Sequence, residues 1–356
     1  MQGPFMRASW QKLTVFWAIC ALSFLAVTVH FRPYFFAVMH FGDSVSYVSV
    51  ARAIATWNFT GLHVFQFWGV SYAVALVSLA GRLSYPHSFV IVCAGSSLAV
   101  TLLSGRLWGW TVAALFTALS FEWMQRSLLG GSEPFFMLLL LIAFWCVRRE
   151  QWQWAALFAA LATTVRPLGI CALVAIGLVL LIRKDHRRFA FALGIGAMIG
   201  VLYVLPLHFY LHDSLATVHS YETSRHLFGI PFYAIVQGTL YYHVPLTNLV
   251  LSYFWIVLIM GGLGLFAFSE SCAEYRREHP VELIFALLYT FAICCYNYPE
   301  WALGNFARFA IPTIPFALIG WRQFAPKVET LAWVSAVVFP ALAACSAYGI
   351  RNIVKF

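Results

Sequence analysis

An all-α, polytopic integral-membrane helical bundle is the fold this sequence predicts, and three observations predict it. Hydrophobic residues make up 62% of the chain and charged ones only 10%, against about 25% charged in soluble domains. Mean hydropathy is +0.82. The apolar residues gather in repeated runs near the roughly 20 residues that a bilayer-crossing helix needs, and not in alternating segments of about 10 residues as in a β-barrel. The runs predict about 10–12 membrane helices, held in one integral domain over residues 1–356.

The net charge of +9 does not point to nucleic acid. The cations sit in short loops beside apolar runs, at Arg148-Arg149, Arg183-Lys184, Arg187-Arg188, Arg276-Arg277, Arg322 and Lys327. That bias reports cytoplasmic orientation. Seven of the eight cysteines lie inside apolar runs, Cys272 being the loop residue, and none has the CxxC spacing of a metal site. They read as small buried apolar residues.

The first run, 13–29, follows Arg7 and Lys12, which sets the N-terminus on the cytoplasmic side. It is long for a signal-peptide core and has no small-residue cleavage site, so it reads as an anchor. The chain then emerges through an outer loop, 30–63, holding His40-Phe41-Gly42-Asp43-Ser44-Val45-Ser46-Tyr47. Over 44–57, Tyr47, Val50, Ile54 and Trp57 fall on one helical stripe, which predicts an interfacial helix with its aromatics toward lipid. Asp43 opens that stripe.

Further runs follow at 63–80, 88–103, 108–121, 134–147, 152–165, 168–182, 189–210, 246–268, 281–296, 309–321 and 331–348. With Asp43 outside and Arg148-Arg149 inside, one run between 63 and 121 cannot be a full crossing; the short 108–121 run or its neighbour is the candidate. Arg166-Pro167 splits the pair 152–165 and 168–182, and basic clusters flank both outer ends, so the split should point outward. The rising arm reaches only about 21 Å at helical rise, against a hydrocarbon core of about 30 Å. Arg166 should therefore sit below the outer surface, where a lipid-facing arginine is costly and a polar cavity is implied.

Of the thirteen carboxylates, Asp43, Glu122, Glu133, Asp213, Glu222 and Glu300 fall on the outer side, and acid–base chemistry facing outward must draw on them. Asp43 also suits the cap of the helix that follows it, and the two roles are compatible. Glu282 and the other carboxylates beside basic loops read as solvated. Arg166 precedes a proline suited to a helix's first turn, a ready phosphate site beside free backbone N–H groups; an ordinary helix break with a snorkelling arginine fits as well. Arg308 heads another apolar run, as phosphate ligand or interfacial anchor. Glu133 opens a run too, where the helix dipole alone would favour an acid. In the second outer loop, 211–245, His212, Asp213, Glu222 and Arg225 offer donors and acceptors for a sugar, with no pair at clean zinc spacing. Asn58-Phe59-Thr60 fits the glycosylation pattern.

Four stretches together resemble the GT-C superfamily of membrane glycosyltransferases: Gly42-Asp43-Ser44-Val45-Ser46-Tyr47 with Ala51-Arg52; Ser132-Glu133-Pro134-Phe135-Phe136; Thr164-Val165-Arg166-Pro167-Leu168-Gly169; and Ala307-Arg308-Phe309-Ala310-Ile311-Pro312-Thr313-Ile314-Pro315-Phe316. Their order is similar to the branch containing the glycosylphosphatidylinositol mannosyltransferases and their bacterial relatives. The resemblance implies transfer of a sugar, mannose being one candidate, from a polyprenyl-phosphate carrier to a glycan, lipid or protein acceptor at the extracytoplasmic face of a bacterial inner membrane. It implies that Asp43 is the base on the acceptor hydroxyl or helps to hold a divalent cation. Arg166 and Arg308 would lie near the donor phosphate, with Tyr47 and Glu133 in the substrate site. Ser44 stands where many relatives carry a second acid, and the soluble C-terminal domain of some relatives is missing. The chain has no Gly-rich phosphate loop, which suits a lipid-linked donor. A multi-pass transporter or flippase would share the broken helix and buried arginine, and an inactive accessory subunit would share the single acid.

Overall fold

The computed structural model describes residues 43–60, 62, 66–118, 120, 123–124, 126–127, 130–223, 228–241, 246–296 and 306–324, with isolated residues up to 341. The expected anchor run 13–29 and nearly all of 331–348 lie outside them. Among the described residues the regular elements are all helices, with an isolated bridge between Phe228 and Tyr296. It is the all-α membrane protein that composition predicts.

Two compact units divide it, Met1–Asn58 with Val70–Leu141 and Arg322–Phe356, and Phe59–Gly69 with Ile142–Trp321. Each is assembled from separate stretches of sequence. The first holds α1 (Asp43–Thr56), most of α2 (Gly69–Gly81), α3 (Tyr85–Trp108), α4 (Trp110–Ala118) and the start of α5 (Glu133–Arg148). In α3, Pro86 occupies the first turn and Gly109 closes the helix at φ 88. Its hydroxyls satisfy themselves on the preceding turn, Ser97 on the Cys93 carbonyl at 2.8 Å and Thr101 on that of Ser97 at 3.0 Å, as polar side chains in apolar helices do. The nine residues of α4 reach about 14 Å, too short to cross a bilayer. Gly109 is thus the break between α3 and α4.

The stripe on α1 does not face lipid as expected. Tyr47, Val50 and Ala51 are buried, the Tyr47 ring lies 6.0 Å from that of Phe89 in α3, and Ser71 of α2 donates to the Tyr47 carbonyl at 2.9 Å. Trp57 alone of the stripe's aromatics is exposed. Periodicity marks an apolar face but is silent on whether lipid or protein covers it.

The second unit holds the end of α5, α6 (Trp152–Val165), a 3₁₀ turn Pro167–Gly169, α7 (Ile170–Ile182), α8 (His186–Leu211), α9 (Ala216–Thr223), α10 (Tyr233–Tyr241), α11 (Leu246–Phe268), α12 (Ala273–Glu278), α13 (Pro280–Cys295), α14 (Phe306–Ala310) and α15 (Ile314–Trp321). Helices α6 and α7 form an antiparallel hairpin: Arg183 at the end of α7 stacks 5.2 Å from the ring of Trp152 at the start of α6. The α8 helix packs on both arms, and α13 runs along α7. Phe144, Phe266, Phe285 and Phe316 make the buried aromatic core, with ring centroids 5.2 to 6.0 Å apart.

Among the described residues, Tyr85–Trp108 and His186–Leu211 are long and apolar enough to cross a membrane, and Ser252–Phe268 with Glu270–Glu278, bent by 73°, makes a third if counted as one span. Gly69–Gly81, Trp152–Val165, Pro167–Ile182 and Pro280–Cys295 are shorter apolar helices. The outward face of α8, with Leu193, Met198, Val201, Leu202, Leu205 and Phe209 exposed, suits contact with acyl chains.

At the base of the hairpin the expectation of solvated carboxylates fails at Glu282. It is buried and takes two bonds from Arg148, Nε to Oε1 at 2.7 Å and Nη2 to Oε2 at 3.0 Å. The Tyr275 hydroxyl donates to Glu282 and receives Arg148 Nη2 at 2.7 Å. The cluster pins the end of α5 to α12 and α13. Cys272, a loop residue by sequence, is buried too.

Two predictions follow from this packing. A methyl group on Gly320 of α15 would overlap the Gly262 carbonyl oxygen of α11 and stand 2.8 Å from the Phe266 nitrogen, whereas one on Gly264 meets nothing within 4 Å. Gly320→Ala should cost about 1–3 kcal/mol and lower the thermal midpoint in detergent; Gly264→Ala should not. Glu282→Ala, which strands Arg148, should cost about 3–5 kcal/mol, and the double variant Arg148→Met, Glu282→Leu should regain most of that loss.

Candidate functional site

Arg166 leaves α6 in an extended conformation, φ −144 and ψ 134, because a residue before proline is pushed out of the helical region. Its N–H still closes the last turn on the Ala162 carbonyl at 3.0 Å, and its own carbonyl accepts from Gly169 at 2.9 Å. The turn folds back so closely that a side chain on Gly169 would stand 2.5 Å from the Thr163 nitrogen. From the other side Gly69 abuts Thr164 and Val165, at 2.6 and 2.7 Å from a hypothetical methyl group. Arg166 is therefore fixed by its backbone at the tip of the hairpin.

Arg308 reaches the same tip from α14. The guanidinium carbon of Arg166 lies 5.6 Å from the centroid of the Phe309 ring, and that of Arg308 lies 5.9 Å from the same centroid. Both side chains are half-buried. Phe309 is itself held: the Tyr289 hydroxyl of α13 donates to its carbonyl at 3.2 Å, and the Tyr296 ring lies 6.2 Å from its ring. Tyr296 carries the bridge to Phe228, reinforced by Gly229 N–H to the Cys295 carbonyl at 2.7 Å and Phe232 N–H to that of Cys294 at 2.8 Å. Residues 228–232 are thereby fastened to the end of α13 that bears on the arginines. Two guanidinium groups around one ring can grip a dianionic or monoanionic phosphate with charge-assisted hydrogen bonds.

The remaining sequence candidates are placed as follows. Asp43 stands half-buried in the first turn of α1, in the first unit, with Tyr47 packed in that unit's core. Glu133 opens α5 as an almost wholly buried acid; a side chain on Gly131 would collide with its carboxylate. His212 is exposed and left-handed, φ 55, and terminates α8. Asp213 accepts from the Leu215 N–H at 3.0 Å and pairs with Nδ1 of His219 at 2.8 Å. It organises the turn into α9. Glu222 lies in α9, but its side chain, like all of Arg225, falls outside the described residues. Phe309, Tyr289 and Tyr296 were not singled out by sequence reasoning, since nothing marks one ring among so many.

Two cavities accompany these elements. One of about 120 Å³ sits at the hairpin base among Arg148, Glu150, Trp152, Arg183, Glu278, His279 and Glu282. The other, about 460 Å³ and open, follows the apolar face of α8 at Ala197, Gly200, Val204 and Leu205, ending at His208 and Ser214. Neither of these two is lined by Arg166 or Arg308. Among the described residues no three His, Cys, Asp or Glu side chains come together in a group that could hold a metal ion.

The hydrogen bond from His219 holds the Asp213 carboxyl below its ordinary value of 3.8, helped by the Leu215 N–H. A carboxyl depressed in this way supports the folded turn above its ordinary value, and that support is lost as pH falls through the lowered one. Carboxyl NMR titration should place the Asp213 midpoint below 3.8, and His219→Ala should raise it.

A family model described as glycosyltransferase family 87 matches residues 70–295. No curated protein matches the chain.

Proposed function

The chain belongs to glycosyltransferase family 87, a family of GT-C-type membrane glycosyltransferases, and from that membership we propose a donor, a side of the membrane and roles for individual residues. The donor is a sugar, mannose being one candidate, on a polyprenyl phosphate. The acceptor is a hydroxyl presented at the extracytoplasmic face of a bacterial inner membrane. The observation that carries this reading is the pairing of Arg166 and Arg308 about Phe309, at the end of the second unit away from its basic loops. A lipid phosphate needs cations at one membrane face, and needs no nucleotide pocket.

The chemistry balances with few groups. Asp43 takes the proton from the acceptor hydroxyl as its oxygen bonds to the anomeric carbon. The bond from that carbon to the phosphate oxygen breaks, and the polyprenyl phosphate leaves with the electron pair. Arg166 and Arg308 hold the growing negative charge on the departing phosphate, where fixed donors are most effective. Displacement from the far side inverts the anomeric configuration. The backbone N–H groups at the start of the Pro167–Ile182 segment add to the attraction for phosphate. His212, Asp213, Glu222 and Arg225 contact the sugar or acceptor. No step is routed through a divalent cation.

Purified protein should transfer sugar from polyprenyl-phosphate donors in a vesicle or detergent assay. Asp43→Asn should lower the rate at least about 100-fold with donor binding retained. Arg166→Ala and Arg308→Ala should each weaken donor affinity by about 10- to 100-fold. Equal rates for wild type and Asp43→Asn remove Asp43 from the mechanism, and absence of transfer from any lipid-phosphate donor removes the donor.

A further inference from the structure

We infer that the α5–α6 and α7–α8 turns form a binding surface for the headgroup of an anionic phospholipid, with Arg149, Lys184 and Arg187 as its cations. The surface lies at the opposite end of the α6–α7 hairpin from Arg166 and does not depend on the donor reading.

Five cations gather at this end. Arg149 follows α5, Arg183 and Lys184 follow α7, and Arg187 and Arg188 lie in the first turn of α8. The two turns are neighbours, because Arg183 reaches across to stand 3.8 Å from Glu150 and 5.2 Å from the Trp152 ring. Carboxylates answer only part of this charge. Glu150 faces Arg183, and Asp185 lies 3.4 Å from Arg188. Among the described residues, Arg149, Lys184 and Arg187 have no carboxylate within ion-pair distance. Arg149 rests instead over the Trp145 ring, 4.5 Å from its centroid. All three are exposed.

Two of these charges stand where the backbone prefers something else. Lys184 is left-handed, φ 57, at the position where a helix ending of this kind usually takes glycine. The ending is defined by its hydrogen bonds, Lys184 N–H to the Leu181 carbonyl and Asp185 N–H to that of Leu180, both at 2.9 Å. Arg187 lies in the first turn of α8, which holds no acid, and the helix dipole disfavours a cation there. Orientation in the membrane needs only an excess of cations on one side. It does not need a lysine in the left-handed region.

The surroundings suit a lipid better than a soluble anion. Next to the charges Ile182 is 73% exposed, and Leu178 of α7 and Phe191 and Leu193 of α8 are exposed as well. Trp154, near the start of α6, is also exposed, and an indole in a membrane protein settles at headgroup level. Cations at the border of an apolar face can hold a phosphodiester while its acyl chains lie along that face.

The test measures lipid retained by the full-length protein in mixed micelles, by native mass spectrometry, with phosphatidylglycerol and phosphatidylcholine of matched chains as probes. Wild type should retain phosphatidylglycerol preferentially, and the preference should fall as salt is raised. Each cation near a headgroup is worth about fivefold in affinity. Lys184→Gly combined with Arg187→Gln should therefore weaken phosphatidylglycerol binding at least about tenfold and leave phosphatidylcholine binding unchanged. Glycine suits the left-handed backbone and glutamine suits a helix, so the thermal midpoint in phosphatidylcholine nanodiscs should not fall. The same loss of charge at two other exposed positions, Arg82→Gln with Arg277→Gln, should leave phosphatidylglycerol binding as in wild type. Equal retention of the two lipids by wild type overturns the inference. Equal weakening by both pairs of substitutions shows a diffuse field in place of a site and overturns it too. A lower thermal midpoint with both lipids weakened alike makes the turns purely structural, with the same consequence. Inorganic phosphate that displaces phosphatidylglycerol at equal concentration assigns the surface to a soluble anion and removes the lipid.

Discussion

The second unit depends on one residue of extended backbone at position 166. Helix α6 keeps its last hydrogen bond there, and the next peptide unit lacks a donor because Pro167 follows. A continuous helix over 152–182 would run about 46 Å and carry Arg166 on its flank. The break instead folds the stretch into two antiparallel arms, with the guanidinium at their common end. Gly169 permits the fold because the turn descends onto Ala162 and Thr163, leaving no room for a side chain. Arm length then sets how deep the charge sits. Fourteen residues in α6 reach about 21 Å, short of the roughly 30 Å of a hydrocarbon core.

A second broken stretch supplies the partner. Residues 306–321 do not form one helix; Pro312 lies in a 3₁₀ turn between α14 and α15. Arg308 and Phe309 therefore belong to a short helix whose direction is independent of the longer one behind it. α15 meanwhile seats Gly320 against Gly262 so tightly that the backbones touch, which is how helices associate where burial from water offers no drive. Close packing behind the break and a proline in it let a five-residue helix hold Arg308 and Phe309 in place.

The sequence displayed the break itself clearly. Arg-Pro between two apolar runs, each too short for a crossing and each bordered by basic residues, admits few other folds, and the observed ends of α6 fall where the runs end. That one run between 63 and 121 is not a full crossing was legible as a counting problem, shared between the 108–121 run and its neighbour, and the structure adds the break at Gly109. Pairings across long separations were not legible. Nothing near Glu282 announces that Arg148, 134 positions earlier, will neutralise it. Nor could composition select Phe309 from 33 phenylalanines, since an aromatic at the head of an apolar run reads as interfacial. The α1 stripe was read correctly as apolar and wrongly as lipid-facing, for the pattern is the same whichever medium covers it.

The two ends of the α6–α7 hairpin show how one residue type serves opposite ends. At the base, Arg148 meets the buried Glu282 with two hydrogen bonds, and Arg183 lies 3.8 Å from Glu150. Charge met by a carboxylate is cancelled where it stands; it fastens helices and has little left to offer a ligand. At the tip, Arg166 and Arg308 rest on a neutral ring. A quadrupole orients a cation without removing its charge. Counting arginines therefore says little about which of them bind. The partner decides, and partners are a property of the fold: the carboxylate brought to the base makes a joint, and the ring at the tip gathers two guanidinium groups from distant stretches.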